Sequence, residues 1–223
     1  VSERKYQHRG RIPPRLCYLI IWSVMNGSFI FSSFAKSSTM LLIIGIMLSY
    51  LVSSAITLLN FFSTAEGVHS YTMWGMGTFG GVSLEQLPLF SLFAIVGLAV
   101  AVSLIKPLNA LLLGTHYAEN LGIPIKRTRT LLLLSTGLLV AVTTAYCGPI
   151  TFIGLAVPHI ARLLLGTADH KRLMPATLLC GSAVALLCNL LTTLPAGGRV
   201  LPLNAITPLI GAPVILFVIR KQR

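Results

Sequence analysis

Long apolar segments with almost no charge constrain this chain more than any other feature of its sequence. Only 10% of its 223 residues are Asp, Glu, Lys or Arg, whereas a soluble domain carries about 25%. So few charges cannot cover a water-facing surface of this size, and a hydrophobic content of 55% is far too high for a disordered chain. The sequence therefore argues against a soluble enzyme and predicts an all-α integral membrane protein.

Seven apolar stretches are candidate membrane helices. A helix that crosses the bilayer needs about 20 residues, which makes 131–147 marginal and 152–165 too short. The latter also contains Pro158 and predicts a short or broken helix packed among the others. The stretch 16–35 is rich in polar residues, which weakens it as a span. The seven stretches are 16–35, 40–62, 88–105, 131–147, 152–165, 173–194 and 202–219.

The net charge of +12 is distributed as short basic clusters between the apolar stretches. This distribution is typical of membrane topology and not of a nucleic-acid-binding face. If every stretch spans, ten basic residues fall in one set of loops, and the opposite set holds only Arg199 once the N-terminal tail is left out. The excess predicts that the first set and the C-terminus are cytoplasmic. The ten are Lys36, Lys106, Lys126, Arg127, Arg129, Lys171, Arg172, Arg220, Lys221 and Arg223.

Residues 1–36 form an atypical basic N-terminal segment with one doubtful apolar stretch. If 16–35 crosses the membrane, the basic residues of the tail fall on the side opposite to the other clusters. Either this stretch does not span, or the start of the chain is not typical of the native protein. The sequence leaves both explanations open.

The outer loop 63–87 differs in character from the inner loops. It contains no Lys or Arg, but it carries Tyr71 and Trp74. Aromatic rings of this kind favour the membrane–water boundary, so the loop predicts a helix lying along the outer membrane surface. An ordinary aromatic belt is the alternative.

No energy source or cofactor site is recognisable in the sequence. All five acidic residues lie outside the apolar stretches, although a proton- or sodium-driven transporter usually needs an ionisable or coordinating group near the bilayer midplane. The chain also lacks a Walker A sequence and any catalytic or metal-ligand pattern. If the protein moves a solute uphill, we therefore expect the energy to enter through a partner. An ATPase-independent secondary transporter or channel is the alternative.

The inner loop 106–130 carries the signals of a short helix. Thr115 is a candidate N-cap, Gly122 suits the position just past the C-terminus, and Pro124 prevents continuation. Three apolar residues are predicted to share one face of this helix. That face could enter a groove on a cytoplasmic partner or fold back on its own protein. The three residues are Tyr117, Ala118 and Leu121.

Three segments of the chain carry a family resemblance: GTHYAENLGIPIKRTR, CGPITFIGLAVPHIARLLLGTADHKRLMP and LPLNAITPLIGAPVILFVIRK. The GPI-x-F-x-GL-x-VPH-x-AR block within the second segment is long and specific. The three segments resemble successive signatures of the FecCD-type permeases, the membrane subunits of ATP-binding-cassette importers for iron–siderophore complexes, haem and vitamin B12. The resemblance runs from about Ser37 to Arg223. It implies that 37–223 is a permease domain with the polytopic helical fold of type II importers, N-terminally incomplete.

The resemblance also implies residues that contact the ATPase subunit. Segment 114–122 is similar to the coupling element of the family, although Thr115 stands where Glu is usual. The turn 169–172 is similar to an inner turn of the family, with Asp169 a candidate N-cap. The implied coupling residues are Gly114, Tyr117, Ala118, Leu121, Gly122, Asp169 and His170.

Other implied roles lie elsewhere in the chain. Ser38 and Thr39, just before the LLIIG helix start, match small hydroxyl residues near a cytoplasmic gate, although ordinary N-caps would look the same. Arg199 is the candidate docking residue for a substrate-binding protein, with an interfacial anchor as the alternative. Asn204 stands where the family usually has Gly.

The resemblance implies an assembly and a location. The partners would be a cytoplasmic ATPase subunit, a periplasmic or lipid-anchored substrate-binding protein, a second copy of the chain in a homodimer, and membrane lipid, with no nucleic acid. ATP and Mg²⁺ would bind to the partner ATPase, and this chain would hold no cofactor. The location would be the bacterial plasma (inner) membrane, which the chain would cross several times.

Overall fold

Apolar helices dominate the part of the chain that this computed structural model describes, residues 38–194 and 201–221. No strand occurs within these residues, so the all-α prediction is confirmed. A 3-10 turn at Phe79–Gly81 follows the second helix. The helices are α1 Ser38–Phe61, α2 Ala65–Gly75, α3 Leu87–Ser103, α4 Ile105–Leu111, α5 Thr115–Asn120, α6 Ile125–Cys147, α7 Ile153–Leu165, α8 His170–Thr193 and α9 Leu203–Lys221.

Length and composition select the helices that can cross a bilayer. Among the described residues, α1, α6 and α8 are long and apolar enough on their own, and α3 with α4 forms a fourth candidate as one broken span. Helix α7 has 13 residues, or about 20 Å at 1.5 Å per residue, which is shorter than the hydrocarbon core. The predicted short helix after residue 152 is thus confirmed. The stretch 16–35 lies outside the described residues.

Two predicted boundaries were wrong. Helix α6 begins at Ile125 and not at 131, so Lys126 and Arg127 lie in its first turn and the span has 23 residues. Basic side chains near a helix end can reach the interface, so charge alone did not mark the boundary. The stretch 88–105 is broken near Leu104, where α4 turns by 46°. Pro107 explains the break, because it has no N–H for the carbonyl of Ser103 and its ring crowds that oxygen.

The core lies where α6 packs along α3. Gly97 of α3 is buried, and a Cβ there would come within 2.8 Å of Leu139. The hydroxyl of Ser135 donates to the Gly97 carbonyl at 2.8 Å, and the rings of Phe90 and Tyr146 meet edge to face at 5.5 Å. Small residues therefore let the two backbones approach closely, as in other membrane bundles. The buried core of α6 is Ala141, Val142, Ala145, Tyr146 and Cys147.

A second packing unit is built around the short helix α7. It contacts both α8 and α9, and its Ala156, Val157 and Ala161 are almost fully buried. These small side chains allow close packing of neighbouring helices. Helix α7 packs through this one face, while its Leu155 and Leu164 are 57% and 73% exposed, so its short length and its internal Pro158 are tolerated where neighbouring helices support it.

The helices alternate in direction and so sort the charges between two ends of the bundle. We call the end that holds α4, α5 and the start of α8 the basic end, because Lys106, Lys126 and Lys171 lie there. The opposite end holds α2, the turn after α6 and the start of α9. This separation agrees with the predicted inner and outer loops. Which end faces the cytoplasm stays a prediction.

Candidate functional site

Helix α5 at the basic end starts without the predicted cap. Thr115 is its first residue and no side chain caps it; Gly114 occupies the N-cap position with φ of 110°. An L side chain rarely adopts that conformation, so a glycine is needed where the chain leaves α4 and turns into α5. The N-cap prediction for Thr115 was therefore wrong, and Gly114 shapes this boundary instead.

The end of α5 follows the prediction for Gly122. This glycine has φ of 75°, its N–H donates to the Glu119 carbonyl at 2.9 Å, and the Ile123 N–H donates to the Ala118 carbonyl at 3.1 Å. These two bonds are a Schellman motif, which satisfies the last carbonyls of the helix. Pro124 then precedes α6 directly. The turn from α5 into α6 is thus fixed by local sequence.

The three apolar residues of α5 do not share one face. Ala118 is 0% exposed, whereas Tyr117 is 50% and Leu121 58% exposed. Neighbouring residues on a helix are about 100° apart, which is enough to turn Ala118 inward while the other two remain outside. The helix therefore packs on its own protein through Ala118. It leaves an apolar patch, Tyr117 and Leu121, at the surface of the basic end.

Asp169 and His170 also lie at the basic end, where α8 begins. Asp169 is the N-cap of α8, as predicted, and its Oδ1 accepts from the Lys171 N–H at 3.0 Å. This backbone hydrogen bond, a second one from the Asn109 side chain and the charges of Arg172 and Lys171 lower the pKa of the Asp169 carboxyl. The carboxylate is thus the stable form at neutral pH.

Asn109 of α4 is a residue that sequence reasoning missed. Its Nδ2 donates to Asp169 Oδ1 at 2.6 Å. Its Oδ1 accepts from the His170 N–H at 2.8 Å and lies 2.8 Å from His170 Nδ1. The two partners are 60 and 61 residues away along the chain, so no local pattern could have identified this contact.

The structure describes the predicted gate residues but not the predicted docking residue. Helix α1 begins at Ser38, so Ser38 and Thr39 lie in its first turn and not ahead of it as expected. Arg199 lies outside the described residues. Both roles stay predictions.

A polar stripe on α1, also missed in the sequence, lines a cavity of about 520 Å³ beside Tyr71 of α2. The hydroxyls of Ser49 and Thr57 donate to carbonyls one turn earlier, each at 2.9 Å. Such internal bonds satisfy hydroxyl donors in an apolar medium. The polar residues of the stripe are Ser49, Ser53, Thr57 and Asn60.

At the opposite end, Asn204 joins three segments. Its Nδ2 donates to the carbonyls of Gly75 at 2.9 Å and Pro149 at 2.6 Å. Its Oδ1 accepts from the Thr151 N–H at 3.2 Å, and its own N–H donates to the Met76 carbonyl at 3.1 Å. A glycine at this position would make only the last of these bonds. One side chain thus ties the end of α2 and the turn after α6 to the start of α9.

Comparison with known proteins places this geometry in a family. The FecCD transport family matches this chain over residues 14–221. The match begins upstream of the three segments that carry the resemblance in the sequence. The vitamin B12 import system permease protein BtuC of Klebsiella pneumoniae is 36% identical over 207 residues, covering 91% of this chain and 62% of that protein. The protein of the same name from Citrobacter koseri is 36% identical over 187 residues, covering 84% and 56%.

A solved structure of an ABC transporter has a similar fold. It is described as an inward-facing conformation of a metal-chelate type ABC transporter, and it superposes with a TM-score of 0.80 at 34% sequence identity. The match covers 88% of this chain and 63% of that one. The chain therefore spans about three fifths of the length of the curated and solved relatives that it matches.

Proposed function

This chain belongs to the FecCD transport family, and on that premise we propose that it is the membrane-spanning permease part of an ATP-driven importer of metal chelates, with vitamin B12 as its cargo. The observation that carries the proposal is the 36% identity to a vitamin B12 import permease across 91% of this chain. Iron–siderophore complexes and haem are the competing cargoes within the same transport class.

In this proposal, the two ends of the bundle bind different partners. At the basic end, Tyr117 and Leu121 present apolar area that a cytoplasmic ATPase subunit can bury. At the opposite end, which faces the periplasm in this proposal, a substrate-binding protein delivers the chelate, with Arg199 as a docking residue. A homodimer places the pathway between two copies of the chain, in the bacterial inner membrane.

The mechanism follows from this arrangement. ATP binding and hydrolysis change the distance between the two ATPase subunits. Each subunit then moves the α5 helix to which it is bound. Because ATP favours one state of the transporter over the other, the permease switches between outward and inward access. Ser38 and Thr39 form the cytoplasmic constriction. The polar stripe of α1 offers uncharged hydroxyl and amide groups to a chelate. Without a charged residue in the stripe, the chelate is not held so tightly that its release becomes slow.

Reconstitution into liposomes tests the proposal. The chain is combined with its cognate ATPase and binding protein, and uptake of radiolabelled cyanocobalamin is measured with ATP inside the vesicles. We expect uptake at least about tenfold above that of vesicles without ATP, since the energy enters only through the partner. A ferric siderophore and haem serve as competing cargoes. Cyanocobalamin accumulation by the chain alone would instead support an ATPase-independent transporter.

Cysteine labelling tests the orientation of the two ends. Glu66 and Lys126 are both exposed, one at each end of the bundle. In a background with the native cysteines replaced by serine, Glu66→Cys is expected to react with a membrane-impermeant maleimide in intact cells. Lys126→Cys is expected to react only after permeabilisation, because the basic end faces the cytoplasm. Labelling of both positions from the same side would contradict this topology.

A further inference from the structure

The orientation of the Asn109 amide is fixed by its partners. A carboxylate can only accept hydrogen bonds, so the group that faces Asp169 Oδ1 at 2.6 Å is the Nδ2 donor. The other side of the amide is then the Oδ1 acceptor, and it meets the backbone N–H of His170 at 2.8 Å. Asn109 therefore hydrogen-bonds to both the capping carboxylate and the first N–H of α8. Both bonds form only when α4 and α8 keep this relative position.

Helix α4 is also joined closely to α5. The N–H groups of Leu113 and Gly114 donate to the carbonyls of Ala110 and Leu111, both at 3.1 Å, and the Ala118 N–H donates to the Gly114 carbonyl at 3.1 Å. The bonds on the α4 side end at the Gly114 N–H and those of α5 begin at the Gly114 carbonyl, so the two hydrogen-bonded segments meet at this one residue. Among the described residues, α5 packs chiefly on α4 and α6, and α8 packs chiefly on α7, α9 and α4. The direct route from the apolar patch of α5 to α8 thus passes through α4.

We propose that Asn109 is a positioning residue that makes α4, α5 and the start of α8 move as one body. A displacement imposed on Tyr117 and Leu121 by the ATPase subunit is then passed to α8, which runs from the basic end to the opposite end. This inference rests on the function proposed above. It assigns to Asn109 the transmission of movement, and not the binding of the ATPase.

Two variants of Asn109 and one matched control test the inference. Asn109→Asp removes the donor and sets two carboxylates against each other, and Asn109→Leu removes both side-chain contacts without adding a charge. Gln86→Glu makes the same amide-to-carboxylate change at the start of α3, at the opposite end of the bundle. We expect N109D and N109L to lower cyanocobalamin uptake per ATP hydrolysed about tenfold and Q86E to change it less than about twofold.

Three readouts in the same proteoliposomes separate the possible results. Co-purification with the ATPase and the rate of ATP hydrolysis are expected to stay near the parent values in all variants, while uptake falls only in the two Asn109 variants. The inference is overturned if N109D and N109L transport normally, if they lose ATPase binding together with uptake, or if Q86E lowers uptake as much as they do. Failure of the unaltered chain to bind the ATPase or to transport would overturn the proposed function as well, so the two failures are distinguishable.

Discussion

Replacing Tyr117 and Leu121 together by aspartate is expected to abolish co-purification of the ATPase subunit. Both side chains are at least half exposed on α5, so the change leaves the core of the permease intact. Burial of an apolar side chain of this size is worth about 1.5–3 kcal/mol, and the variant also places two charges into the interface. A loss of about 3 kcal/mol or more would weaken binding by a factor of about 100 or more.

A matched control isolates the interface from membrane insertion. Leu84 is 87% exposed at the opposite end of the bundle, so Leu84→Asp introduces one such charge at the end that faces away from the ATPase in the proposed function. The double variant is expected to insert in the membrane like this control and to differ from it only in the pull-down. Equal recovery of the ATPase with both variants would refute the role of the apolar patch.

Asn204→Leu is expected to destabilise the opposite end of the bundle strongly. The change keeps a similar volume, but it removes both Nδ2 donors and the Oδ1 acceptor of Asn204. The carbonyls of Gly75 and Pro149 and the N–H of Thr151 then lose their side-chain partner. The two carbonyl contacts are partly buried and the Thr151 N–H is exposed, so each lost bond costs about 0.5–1.5 kcal/mol, as for a typical hydrogen bond. We therefore expect the apparent Tm in detergent to fall by several degrees, measured by thermal unfolding of the purified chain.

Thr151→Val provides the comparison for this second prediction. It removes only the hydroxyl, which lies 3.5 Å from Asn204 Oδ1, and it leaves the stronger bond from the Thr151 N–H in place. This variant is expected to melt close to the parent protein. If Asn204→Leu melts at the same temperature as Thr151→Val, then Asn204 does not hold the three segments together.

The helix boundaries show which features of the fold nearby residues can predict. The end of α5 at Gly122 and the cap of α8 at Asp169 were predicted correctly, because each depends on residues within one turn of the boundary. The start of α6 was missed by six positions, since Lys126 and Arg127 suggested a loop although helix geometry tolerates them at an end. The break at Leu104 could have been anticipated from Pro107 alone.

The site residues divide in the same way. Gly114, Tyr117 and Leu121 were identified from a resemblance and from helix periodicity, and the structure places all of them at the surface of the basic end. Ala118 was assigned to the same exposed face, but its burial depends on what packs beside α5. Asn109 was not identified, because nothing near it in the sequence indicates that Asp169 will lie within hydrogen-bonding distance.

The amino-acid sequence by itself determined that this chain is a bundle of apolar helices with basic loops collected at one end. Few charges and long apolar segments favour the bilayer over water, and this preference does not depend on contacts with distant parts of the chain. Only the tertiary structure decided that Asn109 joins α4 to α8 and that Asn204 joins three segments at the other end. A side-chain amide can pair with many groups, and which ones it meets depends on how distant helices pack.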